Sequence, residues 1–236
     1  MSPVVPPRYR SPSWRLARAG ARSRRRPWST GGWDVIGTTR DPGARGPLAE
    51  LAARSAGHLT VEGLDVADPA QVTALRARLT GRRLDMLFVS SGTTSEEDTP
   101  VGEVATEDFV RVMVTNALGP MRVIETVADL VADDGLIGAM SSGQGSIANN
   151  TAGGRELYRG SKAALNMFVR GFAVRQSGTR RSVLLLAPGW VRTALGGPGA
   201  PYTVEESVSL LMDVLESRLG RPGLAYLDRE GRIVPW

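Results

Sequence analysis

Apolar and polar positions alternate along this chain in two rhythms. Short, nearly continuous apolar runs stand at 33–38 (WDVIGT), 59–64 (LTVEGL), 84–90 (LDMLFVS), 135–141 (GLIGAMS), 182–187 (SVLLLA) and 224–228 (LAYLD). Runs of this length, rich in Val, Leu and Ile, predict strands covered on both faces. Between them, apolar positions recur at three- and four-residue steps over 48–54, 69–79, 107–131, 157–175 and 204–219, which predicts helices. Asp68 before Pro69 predicts an N-cap followed by proline in the first helical turn, and Thr203 with Glu206 predicts a capping box. Strands alternating with helices predict an α/β fold, a doubly wound parallel sheet in a single domain over 33–236. Ligands of such sheets sit beyond the carboxyl ends of the strands.

Residues 1–32 stand outside this rhythm. They are rich in Pro, Ser and Arg, carry eight arginines and no acid, and show neither a period-two run nor an apolar stripe. On composition this is an irregular or disordered basic segment. It also explains the charge: the whole chain of 236 residues is +5, but beyond residue 32 it holds 21 basic and 24 acidic residues, a balance of −3. The basicity therefore belongs to one segment and not to the predicted domain.

Composition narrows the chemistry further. There is no cysteine, which excludes disulfides, thiolate nucleophiles and cysteine metal sites and fits a reducing cytoplasm. The only histidine, His58, precedes a predicted strand, where a solvated or capping role is expected, so no metal site is expected either. No apolar run approaches the roughly 20 residues of a membrane span.

Of the 29 basic side chains only Lys162 is a lysine. It stands four residues after Tyr158, so on a helix the two share a face. Such a pair can be an aromatic stem and a solvated charge; it can also be a phenol whose acidity is tuned by an ammonium, a compact charge on a flexible stem that a guanidinium does not replace. Ser142 at the carboxyl end of the strand at 135–141, Asn116 inside the helix at 107–131, and a Pro-Gly exit from the strand at 182–187 leading to Thr193 supply a context for the second reading.

Together these residues carry a resemblance. The motifs GTTRDP (37–42), LDVAD (64–68), TNALGP (115–120), SSGQGSIANN (141–150), LYRGSKAAL (157–165), PGWVRT (188–193) and DREGRIVPW (228–236) make residues 33–236 similar to the short-chain dehydrogenase/reductase family, closest to its C-factor and sniffer-type carbonyl reductases. The resemblance implies a Rossmann-type fold and an NAD(P)-dependent oxidoreductase that reduces a carbonyl, or oxidises an alcohol, by hydride transfer. It implies a catalytic set of Asn116, Ser142, Tyr158 and Lys162: Tyr158 as proton donor, its pKa of about 10 lowered by the lysine, Ser142 as hydrogen-bond donor to the developing oxyanion, and Asn116 holding water in a proton relay. It further implies cofactor contacts from Thr39, Arg40, Asp65, Ser90, Ser91, Gly92, Tyr158, Lys162, Pro188, Gly189, Val191 and Thr193, with Asp65 at the adenine edge and Thr193 on the carboxamide. Where NAD-specific relatives place an acid, this chain has Thr39 and Arg40, a hydroxyl and a guanidinium that suit a 2′-phosphate; NADP is therefore expected over NAD, with Asp41 one residue on as the contrary signal. The short Gly/Pro-rich segment 194–202 predicts a small lid and small or varied carbonyl substrates. A homodimer paired through long helices is a further implication.

Two features depart from the family. Ser90-Ser91-Gly92 replaces its usual Asn-Ala-Gly, keeping the glycine but losing an amide brace, and the first strand with its glycine-rich phosphate turn is missing. Residues 14–21 (WRLARAGA), read one nucleotide late, permit Gly-Ala-Ser-Arg-Gly-Leu-Gly, so a frameshifted first segment is one reading; an Arg-rich transit peptide is the other. Two other functions compete with turnover: a catalytically silent binding or regulatory protein of the same fold, and salt-dependent nucleic-acid binding by the arginine-rich arm. With residues 1–32 as written, NADPH should bind more weakly than low-micromolar in a fluorescence titration of the purified chain, because the phosphate cradle is lost.

Overall fold

The computed structural model describes residues 15–17, 33–95 and 99–236. Its strands are β1 (Arg15–Ala17), β2 (Val35–Thr39), β3 (Leu59–Gly63), β4 (Leu84–Val89), β5 (Val131–Met140), β6 (Ser182–Ala187) and β7 (Gly223–Asp228). The helices are α1 (Pro47–Arg54), α2 (Pro69–Arg78), α3 (Thr106–Met113), α4 (Gly119–Val127), α5 (Glu156–Arg175) and α6 (Val204–Arg218). The ladders β2/β3, β4/β5, β5/β6 and β6/β7 are all parallel. This is the doubly wound α/β architecture that the alternating runs predict.

The strands divide into a sheet of order β1-β2-β3 and one of order β4-β5-β6-β7. Between them lies β1, antiparallel to β2 in the register Arg15↔Thr38, Leu16↔Gly37, Ala17↔Ile36, and close against β4. The sequence pattern assigns no strand to residues 1–32, and here three of them cover part of the otherwise open edge of β2. The remainder of that segment, with the missing parallel strand and the glycine turn, lies outside the described residues.

Burial explains the runs. All six residues of β6 are buried, as are Leu84 and Met86 to Val89 of β4, because helices cover both faces. One core joins Ile36, Leu87, Val89, Ile137 and Leu185 to Leu75, Ile124, Leu165 and Phe172 of α2, α4 and α5. A second, on the opposite face, joins Met86, Phe88, Leu184 and Leu186 to Leu211, Val214 and Leu215 of α6. Both predicted caps form. Asp68 Oδ1 accepts from the amides of Ala70 (2.8 Å) and Gln71 (3.3 Å). In the capping box the Glu206 amide donates to Thr203 Oγ1 at 3.1 Å and the Thr203 amide to Glu206 Oε2 at 2.8 Å.

The single helix predicted over 107–131 is a correction. It is broken by a π-turn at Val114–Leu118 and ends in a 3₁₀ turn at Ala128–Leu130, and Val131 already belongs to β5, paired with Leu84. Apolar periodicity carries through a π-turn without a gap, so the sequence shows no break there. Gly119, just after it, is forced by packing: a Cβ would stand 2.7 Å from the Val66 carbonyl oxygen and 2.8 Å from Val66 Cγ2. Gly119→Ala should therefore cost about 2 kcal/mol in urea unfolding, an overpacking effect in which backbone, not a side chain, must move.

Candidate active site

Most of the residues singled out from sequence stand beyond the carboxyl ends of β4, β5 and β6, whereas Thr39, Arg40 and Asp65 lie at the ends of β2 and β3. Ser90 to Gly92 follow β4, Ser141 and Ser142 follow β5, Pro188 to Thr193 follow β6, and α5 brings Tyr158 and Lys162. Lys162 is at the centre. Its side chain is 2% exposed, and Nζ donates to the carbonyls of Ser91 (3.1 Å) and Met140 (3.0 Å), strapping α5 to the ends of β4 and β5. Burial pushes the ammonium down to about 8 from an ordinary 10.5. Tyr158, one turn earlier on the same helix, is half-buried.

Asn116, fully buried in the π-turn, spends its side chain on protein partners. Nδ2 donates to the Thr93 carbonyl and to Ser161 Oγ, each at 2.9 Å, and Oδ1 accepts from the Thr93 amide at 2.7 Å. Ser161 Oγ passes the connection on to the Tyr158 carbonyl at 2.7 Å. The π-turn thereby locks the loop after β4 to the first turn of α5. Gly92 lies within the same cluster: a Cβ there would stand 3.6 Å from Lys162 Nζ, 3.9 Å from Asn116 Oδ1 and 3.8 Å from Leu195 of the loop after β6. These are ordinary van der Waals distances, so the bare backbone of Gly92 packs directly beside the ammonium. Ser91 Oγ donates to the Thr115 carbonyl at 3.2 Å, a brace in place of the lost amide.

Ser142 has extended backbone (φ −157°, ψ 146°), and its Oγ accepts from the Gln144 amide at 3.2 Å, which leaves its O–H to donate elsewhere. Sequence reasoning missed what holds it. The Tyr226 hydroxyl from β7 donates to the Ser142 carbonyl. Asn166, one turn after Lys162, ties Ser141 Oγ (2.6 Å) to the Gly145 carbonyl (3.1 Å). An amide four residues after a buried lysine is the one signal that could have pointed to it.

The loop after β6 folds on itself. Gly189 is left-handed (φ +80°), the Arg192 amide donates to the Tyr202 carbonyl at 2.8 Å, and Thr193 Oγ1 accepts from the Gly196 amide at 3.0 Å. Arg192 to Pro198 line an open recess of about 680 Å³. At the far end of the strand row, Thr39 is half-buried and Arg40 exposed after β2. The Asp65 carboxylate accepts from the Ala67 amide at 2.9 Å, and the Asp65 amide donates to Gln71 Oε1 at 2.7 Å. His58 is exposed and shares a 2.9 Å contact with Asp34. Among the described residues no helix is long and apolar enough to cross a membrane.

The family model described as enoyl-(acyl carrier protein) reductase matches residues 25–209. The chain belongs to the short-chain dehydrogenase/reductase family. A family member from Burkholderia multivorans, solved with bound NADP, is 57% identical and superposes with a TM-score of 0.84 over 87% of this chain and 89% of its own. A carbonyl reductase from Pseudomonas aeruginosa is 30% identical, with a TM-score of 0.80 over 86% and 88% of the two chains. The C-signal protein of Myxococcus xanthus is 36% identical over 138 residues, 58% of this chain and 83% of its own length. The chain is thus an oxidoreductase by family, with carbonyl reductases among its structural neighbours.

The Lys162 strap gives a signed pH dependence. Between the folded value of about 8 and the ordinary 10.5, the unfolded chain binds the proton more tightly, so stability should rise with pH across that window, by up to about 3 kcal/mol. Urea unfolding of the wild type against Lys162→Met checks it: the rise should be absent from the variant.

Proposed function

We propose that this chain is an NADP-dependent carbonyl reductase working through Ser142, Tyr158 and Lys162, with Asn116 holding the framework. The observation that carries this reading is the solitary lysine, fully buried with its ammonium held between two strand-end carbonyls one helical turn from Tyr158.

The residues fit a dinucleotide at its reacting end. Lys162 carries three N–H donors, and the two bonds to Ser91 and Met140 leave one for a ribose hydroxyl. Thr193, with Pro188, Gly189 and Val191, would hold the carboxamide end. Arg40, exposed after β2 beside Thr39, would meet a 2′-phosphate, which an acid at that place would repel. The relative solved with bound NADP supports the same choice. When bound, NADPH supplies the hydride.

The protein's share is the proton and the oxygen. Ser142 donates a hydrogen bond to the substrate carbonyl oxygen, aligned by the Tyr226 and Asn166 bonds on either side of it. The Tyr158 O–H bond breaks as its proton passes to that oxygen, converting carbonyl to hydroxyl and leaving a phenolate. The Lys162 ammonium stabilises that phenolate and lowers the acidity barrier near neutral pH. Asn116 keeps the loop after β4 and the first turn of α5 in register, so that the relay returning a proton to Tyr158 has fixed walls. The open recess beside Arg192 to Pro198 and the self-bonded loop suit small carbonyl compounds.

Tyr158→Phe should lower kcat for NADPH-dependent reduction of a panel of small aldehydes, ketones and quinones by about 10²- to 10⁴-fold, with NADPH affinity retained. Turnover by the wild type that survives this substitution would refute the assignment. Ser142→Ala should cost about 10²-fold or more in kcat with little change in KM, as expected of a group that acts on the developing charge.

A further inference from the structure

Immediately before α5 three consecutive residues have left-handed backbone: Gly153 (φ +66°), Gly154 (φ +67°) and Arg155 (φ +51°). The first two are glycine, which takes this conformation without steric cost, and a Cβ at either would meet nothing within 4 Å. The third is a long, Cβ-bearing side chain in a conformation that crowds it. Glycine would satisfy the backbone there better than arginine does, so the side chain has another use. It lies over Tyr158: the guanidinium carbon stands 5.0 Å from the centroid of the phenol ring, within cation–π range.

We propose that Arg155 is a positioning residue for Tyr158, its guanidinium fixing the ring and acting with Lys162 as a second cation that favours the phenolate. The inference rests on the reading of Tyr158 as the proton donor. Lys162 loses its own charge near pH 8, whereas a guanidinium stays charged at every relevant pH. Arg155 therefore keeps a positive field at the phenol across the range in which Lys162 is being neutralised.

Among the described residues, charges on the neighbouring elements have partners of their own. On α5, Glu156 accepts from the Val101 amide at 2.9 Å, and Arg159 donates to the Gly154 carbonyl at 2.9 Å. On α3, Arg111 pairs with Asp108 at 2.7 Å beside Thr93 and Thr94, whereas Glu125 of α4 pairs with Arg175 at the far end of α5. The π-turn and the 3₁₀ turn at Gly143–Gly145 contain no ionisable residue. In the loop after β6, Arg192 donates to the Ala200 carbonyl at 2.7 Å.

The test reads the phenol directly and needs no turnover. Ultraviolet titration of the full-length protein, wild type minus Tyr158→Phe, isolates the ionisation of Tyr158; the same difference is taken in Arg155→Met and Arg155→Gly backgrounds. Both should move its midpoint upward by about one unit, and Arg155→Gly should raise Tm by a few degrees by relieving the left-handed strain. A midpoint unchanged in both backgrounds overturns the polarising role, and a fall in Tm for Arg155→Gly overturns the strain. Should Arg155→Met not fold, the glycine variant, whose backbone is relaxed, still gives the midpoint. The proton-donor reading fails separately, if Tyr158→Phe turns over like the wild type.

Discussion

A single buried ammonium, held by backbone carbonyls, organises this molecule. Lys162 is buried, and among the described residues the carbonyl dipoles after β4 and at the end of β5 compensate its charge. A charge so placed is costly unless every available dipole turns toward it. The two strand ends and α5 must therefore keep one arrangement, which also fixes where Ser142 after β5 and Tyr158 on α5 stand. The cost of burial and the order of the site are one interaction seen from two sides. An arginine in its place would bring five donors in a rigid fork to a space that offers two carbonyls.

Around that charge the polar contacts form a frame rather than a set of isolated pairs. Asn116 ties the loop after β4 to Ser161, and Ser161 ties to the Tyr158 carbonyl. Asn166 ties Ser141 to Gly145, one turn beyond Lys162. One face of α5, carrying Ser161, Lys162 and Asn166 in the turns after Tyr158, is thus tied to the ends of β4 and β5.

Much of this is legible in the chain itself. The strand runs at 84–90 and 182–187 read correctly because these parallel strands are buried on both faces and need no alternation, and Asp68, Thr203 and Glu206 read correctly because capping is local chemistry. The positions of Lys162, Tyr158, Ser142 and Asn116 follow from their places relative to predicted strands. What stayed hidden depends on partners distant in sequence. The π-turn at Val114–Leu118 leaves the apolar spacing intact, the capture of Val131 by Leu84 requires the sheet, and Tyr226 lies 84 residues from the serine it supports. Arg155 differs again, since no local pattern announces a left-handed arginine after two glycines.

The bond from Tyr226 to the Ser142 carbonyl gives the edge of the sheet a hold on its middle. Strand β7 contains none of the proposed chemistry, yet it suspends the serine from two strands away, with the Trp236 ring packed 5.4 Å from the Tyr226 ring behind it. Tyr226 also belongs to the core, its ring buried among apolar neighbours while its hydroxyl holds the serine. Loss of that hydroxyl alone would free the Ser142 carbonyl and leave the core packing in place.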